Sequence, residues 1–322
     1  MKNKKVKVTY GKTARFKTIV KSDMTLSNKS KLFVKIYGKS FGKIPVYLAL
    51  IALSVIFLVP FIYMIGHSIM GVSDLLNPNI KWLPRAITFS NYTAAFKSMD
   101  YVKYLLMTIA VVGIAVFGQV MSCSFVAYGL ARVKFKASGI IFGLVIFMLI
   151  VPPQTIIVPS YIMFSKFGWL DSYLPIDIPC FFSMGLNGGL MVFIFRQFFR
   201  GMPVELENAA LIDGTGIFGA YFRIIFPNAK PAILTTSILS MVWQWNNSFE
   251  PSIYIENIQN GLLPMQLQQL KSNLSSAMAG TVDFNIGINM AGTFLTVLPI
   301  LVVFLALQGR FMKNMANSGL AN

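Results

Sequence analysis

The sequence is short of charge, of histidine and of cysteine, and each shortage removes a class of protein. Asp, Glu, Lys and Arg together make only 12% of the 322 residues, about half the share a soluble domain spends on its surface. With 55% of residues hydrophobic and a mean hydropathy of +0.65, most of the exterior must face something other than water, and lipid is the simplest medium. There is one histidine, His67, and no charged residue stands in the central part of any long apolar run. A membrane-embedded enzyme would need a nucleophile–base pair or a metal cluster, and a proton- or ion-driven carrier an ionisable group near the midplane. Both are disfavoured. The two cysteines, Cys123 and Cys180, sit in apolar stretches and offer neither a disulfide framework nor a zinc spacing.

Acidic residues are scarce as well: 11 against 28 Lys and Arg, a net charge of +17. The imbalance is local. Thirteen of the 28 basic residues lie in positions 1–43, with Asp23 as the one acid among them, and the rest of the chain is near balance. A basic tail of that length is too long for the n-region of a secretory signal; it reads as an N-terminal arm on an uncleaved first span. A solvated arm, attraction to anionic lipid and a specific partner all remain open for it. Gly11-Lys12-Thr13 imitates the end of a phosphate-binding loop, but Val6 occupies the place of its first glycine and no apolar strand precedes it.

Six apolar runs are long enough to cross a hydrocarbon core of ~30 Å, which takes ~20 residues: 44–66, 105–131, 139–164, 178–197, 231–249 and 286–309. Without water to satisfy the backbone, each is expected to be helical, so the fold class is all-α and polytopic. With the N-terminus inside, the inner segments carry 22 Lys and Arg and the outer ones six: Lys81, Arg85, Lys97, Lys103, Lys166 and Lys271. The bias toward basic inner loops therefore places both termini in the cytoplasm. Pro152-Pro153 and Pro159 interrupt the third run, where a helix must kink or unwind. The spans hold neutral polar side chains instead of charges. Among these, Gln119, Asn187, Gln244, Asn246 and Asn289 are candidates for lining a path for an uncharged, hydroxyl-rich solute, with interhelical hydrogen bonding as the alternative for each.

The inner segment 198–230 carries the most specific signal. Pro203 suits the first turn of a short helix, Glu205 and Glu207 favour its positive end, and Gly214 is a natural stop because it adopts left-handed geometry without a Cβ clash. Ala209 and Ala210 are small, allowing another surface to come close. This segment resembles the conserved loop of binding-protein-dependent ABC importer permeases: Glu-Ala-Ala, three residues, Gly, nine residues, Ile, any residue, Leu-Pro. Here the matching positions are Ala209, Ala210, Gly214, Ile224 and Pro227, with Asp213 just before the glycine. Asn208 replaces the glutamate and Phe226 the leucine. The resemblance runs from Ile44 onward and is strongest to the carbohydrate-uptake branch, similar to the second membrane subunit of maltose-type transporters.

That resemblance implies a type I importer permease fold, divided into a basic tail (1–43), a six-span permease domain (44–312) and a C-terminal tail (313–322). It implies that Phe311, Ser318 and Gly319 belong to a tail reaching the ATPases, in a bacterial cytoplasmic membrane. The implied partners are a second homologous permease, two copies of an ABC ATPase and an extracellular solute-binding protein, set in a lipid bilayer. Nucleic acid has no part. The chain itself is expected to bind no cofactor and perform no chemistry, ATP and Mg being bound by the ATPase subunits. The imported solute is expected to be a sugar or oligosaccharide, another small polar solute being the alternative; the rival class is an ATP-independent secondary transporter.

Overall fold

A computed structural model describes residues 44–212, 214–277 and 286–318. Among the described residues there is no strand, only an isolated bridge between Met70 and Ile87. The basic tail 1–43 and the extreme C-terminus lie outside them.

The chain divides after Tyr63 into two units. The first contributes most of helix α1 (Ile44–Ser68), whose apolar side chains from Val46 to Ile62 are exposed. The second holds α2 (Ser90–Ser98), α3 (Tyr101–Arg132), α4 (Ser138–Phe147), α5 (Pro153–Lys166), α6 (Gly188–Gly201), α7 (Glu205–Ile212), α8 (Lys230–Asn246), α9 (Leu263–Ala277) and α10 (Ile286–Ser318). Among the described residues three helices are long and apolar enough to cross a membrane: α1, α3 and the Ile286–Gly309 part of α10.

Of the other three apolar runs, the third and fourth are more broken than their hydropathy implies. The third is two helices. α4 stops at Phe147, Pro152 sits in extended geometry (φ −68°, ψ 136°), and α5 begins at Pro153. A residue preceding proline is sterically pushed out of the helical region, which accounts for the break at this pair; Pro159, by contrast, is accommodated inside α5. In the fourth run a short 3₁₀ turn (Ile178–Phe182) comes first, and α6 starts only at Gly188 after left-handed Ser183 and Asn187. The fifth is the 17-residue α8.

Helix α3 is the hub. At four-residue spacing Ala115, Gln119, Cys123 and Ala127 form a fully buried stripe of mostly small side chains, the pattern that lets helices approach closely in lipid. Met191, Val192, Phe195 and Phe199 of α6 pack on it. Close approach also governs α6 against α4: a Cβ at Gly189 would sit 2.7 Å from the Val145 carbonyl oxygen, a backbone atom that cannot step aside.

α3 also satisfies backbone that is not helical. Ser122 Oγ donates to the Cys180 carbonyl (2.6 Å) and accepts from the Ser183 N–H (3.1 Å), while Gln119 Nε2 donates to the Leu186 carbonyl (2.7 Å). Its other end serves α10. Pro299 has no N–H, so the carbonyl four residues earlier, on Leu295, loses its helical partner; the Tyr101 hydroxyl donates to it at 2.9 Å. One residue on, the Thr296 carbonyl accepts from the Trp245 indole (3.0 Å). Tyr101→Phe is therefore expected to lower stability by about 1 kcal/mol, read as an earlier unfolding transition of the detergent-solubilised chain; an unchanged transition would show that Leu295 is satisfied otherwise.

Candidate functional site

The signature segment folds as α7 followed by a return to α8 through short helical turns. Pro203 lies two residues before the first helical residue, so it sets the entry and does not occupy the first turn; the chain arrives extended through Met202 (ψ 145°). The stop is as expected. Gly214 has φ +77°, its N–H donates to the Leu211 carbonyl (3.1 Å), and the Thr215 N–H reaches back to the Ala210 carbonyl (3.0 Å). That pair of bonds is the Schellman closure, which consumes helix-end carbonyls and needs a residue tolerant of left-handed geometry. Asp213 lies outside the described residues.

α7 is amphipathic in an unusual sense: it is held by one edge and offers the other. Ala210 is buried and Glu207 nearly so, whereas Glu205, Leu206, Asn208, Ala209, Leu211 and Ile212 are exposed, Ile212 by 85%. The holding edge is polar. The Tyr128 hydroxyl donates to Glu207 Oε1 (2.7 Å), and Arg132 Nε stands 3.9 Å from Oε2, with side chains 6% and 13% exposed for the arginine and glutamate. Arg132 also donates to the Met202 carbonyl at the entry to α7. Tyr128 and Arg132 are four residues apart on α3, so one helical face grips the segment.

The return is gripped too. A single turn of π-helix spans Tyr221–Ile225, and it directs Tyr221 into the core. Tyr221 is fully buried, shares a 2.7 Å hydrogen bond with Ser124 Oγ and packs its ring against Phe125 and Tyr128. Ile225 is buried beside it; Ile224 is half-buried and Pro227 exposed. Beyond the helix, Ile217, Phe218 and Phe222 extend the exposed apolar surface.

The five path candidates do not converge. Gln119 is fully buried with both amide ends engaged, its Oε1 accepting from Ser240 (2.6 Å). Asn187 caps α6 in left-handed geometry, Asn246 is exposed and bonded to the Val242 carbonyl (2.8 Å), and Asn289 Oδ1 is buried without a hydrogen-bond partner among the described residues. Gln244 lines a cavity of about 370 Å³ between α5, the 175–186 stretch and the segment after α8. Its walls are aromatic, with Phe164, Trp169 and Tyr254, and Glu250 adds a carboxylate bonded to the Asn247 amide (2.8 Å). Burial pushes that carboxyl above its usual range, and the amide bond partly opposes the shift. Phe311 and Ser318 belong to the last turns of α10, with side chains outside the described part, and Gly319 lies outside altogether.

Sequence reasoning missed Tyr128 and Arg132 as partners of Glu207, and Tyr221 as the anchor of the return. The first two had a signal: an i, i+4 tyrosine–arginine pair at the inner end of a span otherwise free of cations after Lys103. Tyr221 had none, because its inward aim depends on the π turn.

Comparison with known proteins agrees with this geometry. Residues 86–317 match the family model of the binding-protein-dependent transport system inner membrane component. The chain is 30% identical over 264 residues to the melibiose/raffinose/stachyose import permease protein MelC of Bacillus subtilis (strain 168), covering 80% of this chain and 90% of that one. It is 29% identical over 273 residues to the arabinooligosaccharides transport system permease protein AraQ of the same organism, covering 83% and 92%. A solved chain from a bacterial ABC transporter involved in the import of the acidic polysaccharide alginate shares the fold, with a TM-score of 0.68 at 19% identity, over 90% of this chain and 99% of that one. With a signature loop closed by Gly214, a hub helix gripping it and a family match over most of its length, the chain is a multi-pass membrane protein that belongs to the inner-membrane components of binding-protein-dependent transport systems.

Proposed function

We propose that this chain forms half of the translocation pathway for a carbohydrate in an ATP-driven importer, and that α7 is where a cytoplasmic ATPase takes hold. The observation that carries this reading is the division of labour on α7. One edge is tied to α3 through Tyr128, Glu207 and Arg132; the opposite edge presents Leu206, Ala209, Leu211 and Ile212 to solvent. Exposed apolar side chains on a short, firmly anchored helix suit a groove on a partner. A push on that helix would pass into α3 and tilt it as a rigid body, the motion alternating access requires.

The wider assembly follows the same reading. Six spans cross the bacterial cytoplasmic membrane, α4 with α5 making the third and the 178–201 stretch the fourth, with both termini in the cytoplasm. The basic arm 1–43, the permease domain 44–312 containing the 198–230 loop, and the C-terminal tail 313–322 are its divisions, and Phe311, Ser318 and Gly319 extend toward the ATPases. A homologous permease completes the pore, two ATPase copies bind ATP and Mg, and an extracellular binding protein delivers the solute. The chain itself carries out no chemistry.

Carbohydrate is favoured by the named relatives, MelC and AraQ, and by the cavity at Gln244. Aromatic faces beside a carboxylate and an amide offer a sugar both apolar contact and hydrogen-bond partners. Another small polar solute is the alternative.

Two outcomes test this. Gly214→Val forces a β-branched residue into left-handed geometry, at about 1–2 kcal/mol, and is expected to cut ATP-dependent uptake about tenfold or more with the protein still inserted. Unchanged uptake would remove the coupling role, and uptake that follows an ion gradient after ATP depletion would revive a secondary transporter. Gln244→Ala is expected to raise the KM for sugar uptake about fivefold, the equivalent of one hydrogen bond; an unaltered KM would take the cavity off the path.

A further inference from the structure

A second cavity, of about 740 Å³, lies beside α7 and is lined by the end of α3, the 133–138 connection and the last turns of α6. Its charge is one-sided. Arg132, Lys134, Lys136, Arg196 and Arg200 face a single carboxylate, Glu207, so five cations meet one anion. Arg132 is committed to Glu207 and the Met202 carbonyl, yet its Nε is buried and makes no hydrogen bond. Arg196 sits over the Phe142 ring, its Cζ 3.7 Å from the centroid, and donates to the Leu130 carbonyl (3.3 Å). Lys134, Lys136 and Arg200 are exposed and form no ion pair among the described residues. A ring of fixed and free cations of this kind fits a phosphate monoanion or diester.

The surroundings say which phosphate. The cavity wall is apolar between the cations, with Leu130, Val133 and Phe135. From Ser138 in that wall, α4 leads away, and Ile140, Leu144 and Phe147 are exposed along one face of it. A ligand with an anionic head and long apolar tails would fill the cavity and cover that stripe together.

We infer that this cavity is a binding site for the headgroup of an anionic phospholipid, with the acyl chains lying along α4. In the orientation proposed above it opens to the inner leaflet, where basic pockets between spans recognise such headgroups. A lipid seated there touches Arg132 and borders Glu207, so it braces the grip of α3 on α7.

The test is native mass spectrometry of the full-length chain in micelles holding equimolar phosphatidylglycerol and phosphatidylcholine. The wild-type chain should retain one phosphatidylglycerol in preference. Lys134→Gln with Arg200→Gln should weaken that retention about twenty-five-fold, roughly fivefold for each cation removed, with an unfolding transition like the wild type's. Lys81→Gln with Lys166→Gln removes equal charge elsewhere and should retain the lipid. Equal loss in both double variants, or equal retention of the two lipids by wild type, would overturn the site. So would displacement of the lipid by millimolar inorganic phosphate, which would assign the cavity to free phosphate. Loss of the lipid whenever the ATPase is bound would assign it to an acidic protein surface instead. Because the micelle measurement requires neither transport nor a defined orientation, its failure would leave the importer reading standing.

Discussion

In an apolar medium every backbone donor and acceptor that leaves a helix needs a partner from the protein itself, because no water is present to supply one. α3 is built around that demand. Ser122 and Gln119 satisfy the irregular stretch between Cys180 and Leu186, and Tyr101 satisfies the carbonyl that Pro299 orphans in α10. Arg132 does the same for Met202, where α6 gives way to the signature segment. The polar residues along this helix are thus distributed by where its neighbours break. Remove the hub and three separate interruptions lose their partners at once.

The same helix carries the one buried charge pair of the described chain that joins two functional elements. Glu207 is nearly buried, and an ionised carboxylate out of water is costly unless paired and hydrogen-bonded. Tyr128 and Arg132 meet both conditions from adjacent turns of one face. One hydrogen bond and one ion pair from the same rigid element fix direction as well as distance, which a single contact would not. Since deleting one partner of such a pair leaves the other stranded, the pair resists opening, and under the proposed mechanism displacement of α7 would pass to α3. Tyr221 repeats the arrangement on the return path, through an aromatic contact and one buried hydroxyl pair with Ser124. The loop is therefore clamped at both ends of its exposed surface.

What the sequence made legible follows from how local each feature is. Gly214 as a left-handed stop could be read because one residue's missing Cβ decides it. The break at Pro152-Pro153 could be read because proline restricts its own neighbour. Hydropathy, which averages over a window, saw six runs; it could not see that the fourth spends its first ten residues outside an α-helix, since Ser183 and Asn187 adopt left-handed geometry only with Ser122 and Gln119 of a distant helix in place. Gln119 itself shows the limit. As a polar residue in an apolar run it was compatible with a solute path or with an interhelical bond, and only the positions of Leu186 and Ser240 distinguish the two. The buried acid Asp177, just ahead of the fourth run, was likewise invisible to a rule that asks what lies inside a run.

The absence of charge from the middle of the apolar runs gains its meaning from the two ends. A solute carrier that draws energy from an ion gradient must put its coupling group where the ion passes, whereas one driven from outside the bilayer must put a mechanical contact where the driver sits. Here the middle of the runs offers amides and hydroxyls; the nearest carboxylates, Asp177 and Glu250, stand just outside the fourth and fifth runs, the latter in the wall of the Gln244 cavity. The ionic and apolar features concentrate instead around α7: a paired carboxylate, five clustered cations and an exposed row of Leu206, Leu211 and Ile212. Those cations are far in excess of what Glu207 requires. One arginine balances it, and four positive charges remain at the foot of α3, next to the element through which force would enter. Lys134, Lys136 and Arg200 stand exposed beside an apolar wall, where a counter-charge would relieve their mutual repulsion. The proposed anionic headgroup would supply it without competing for the exposed edge of α7, leaving that edge open to a protein partner.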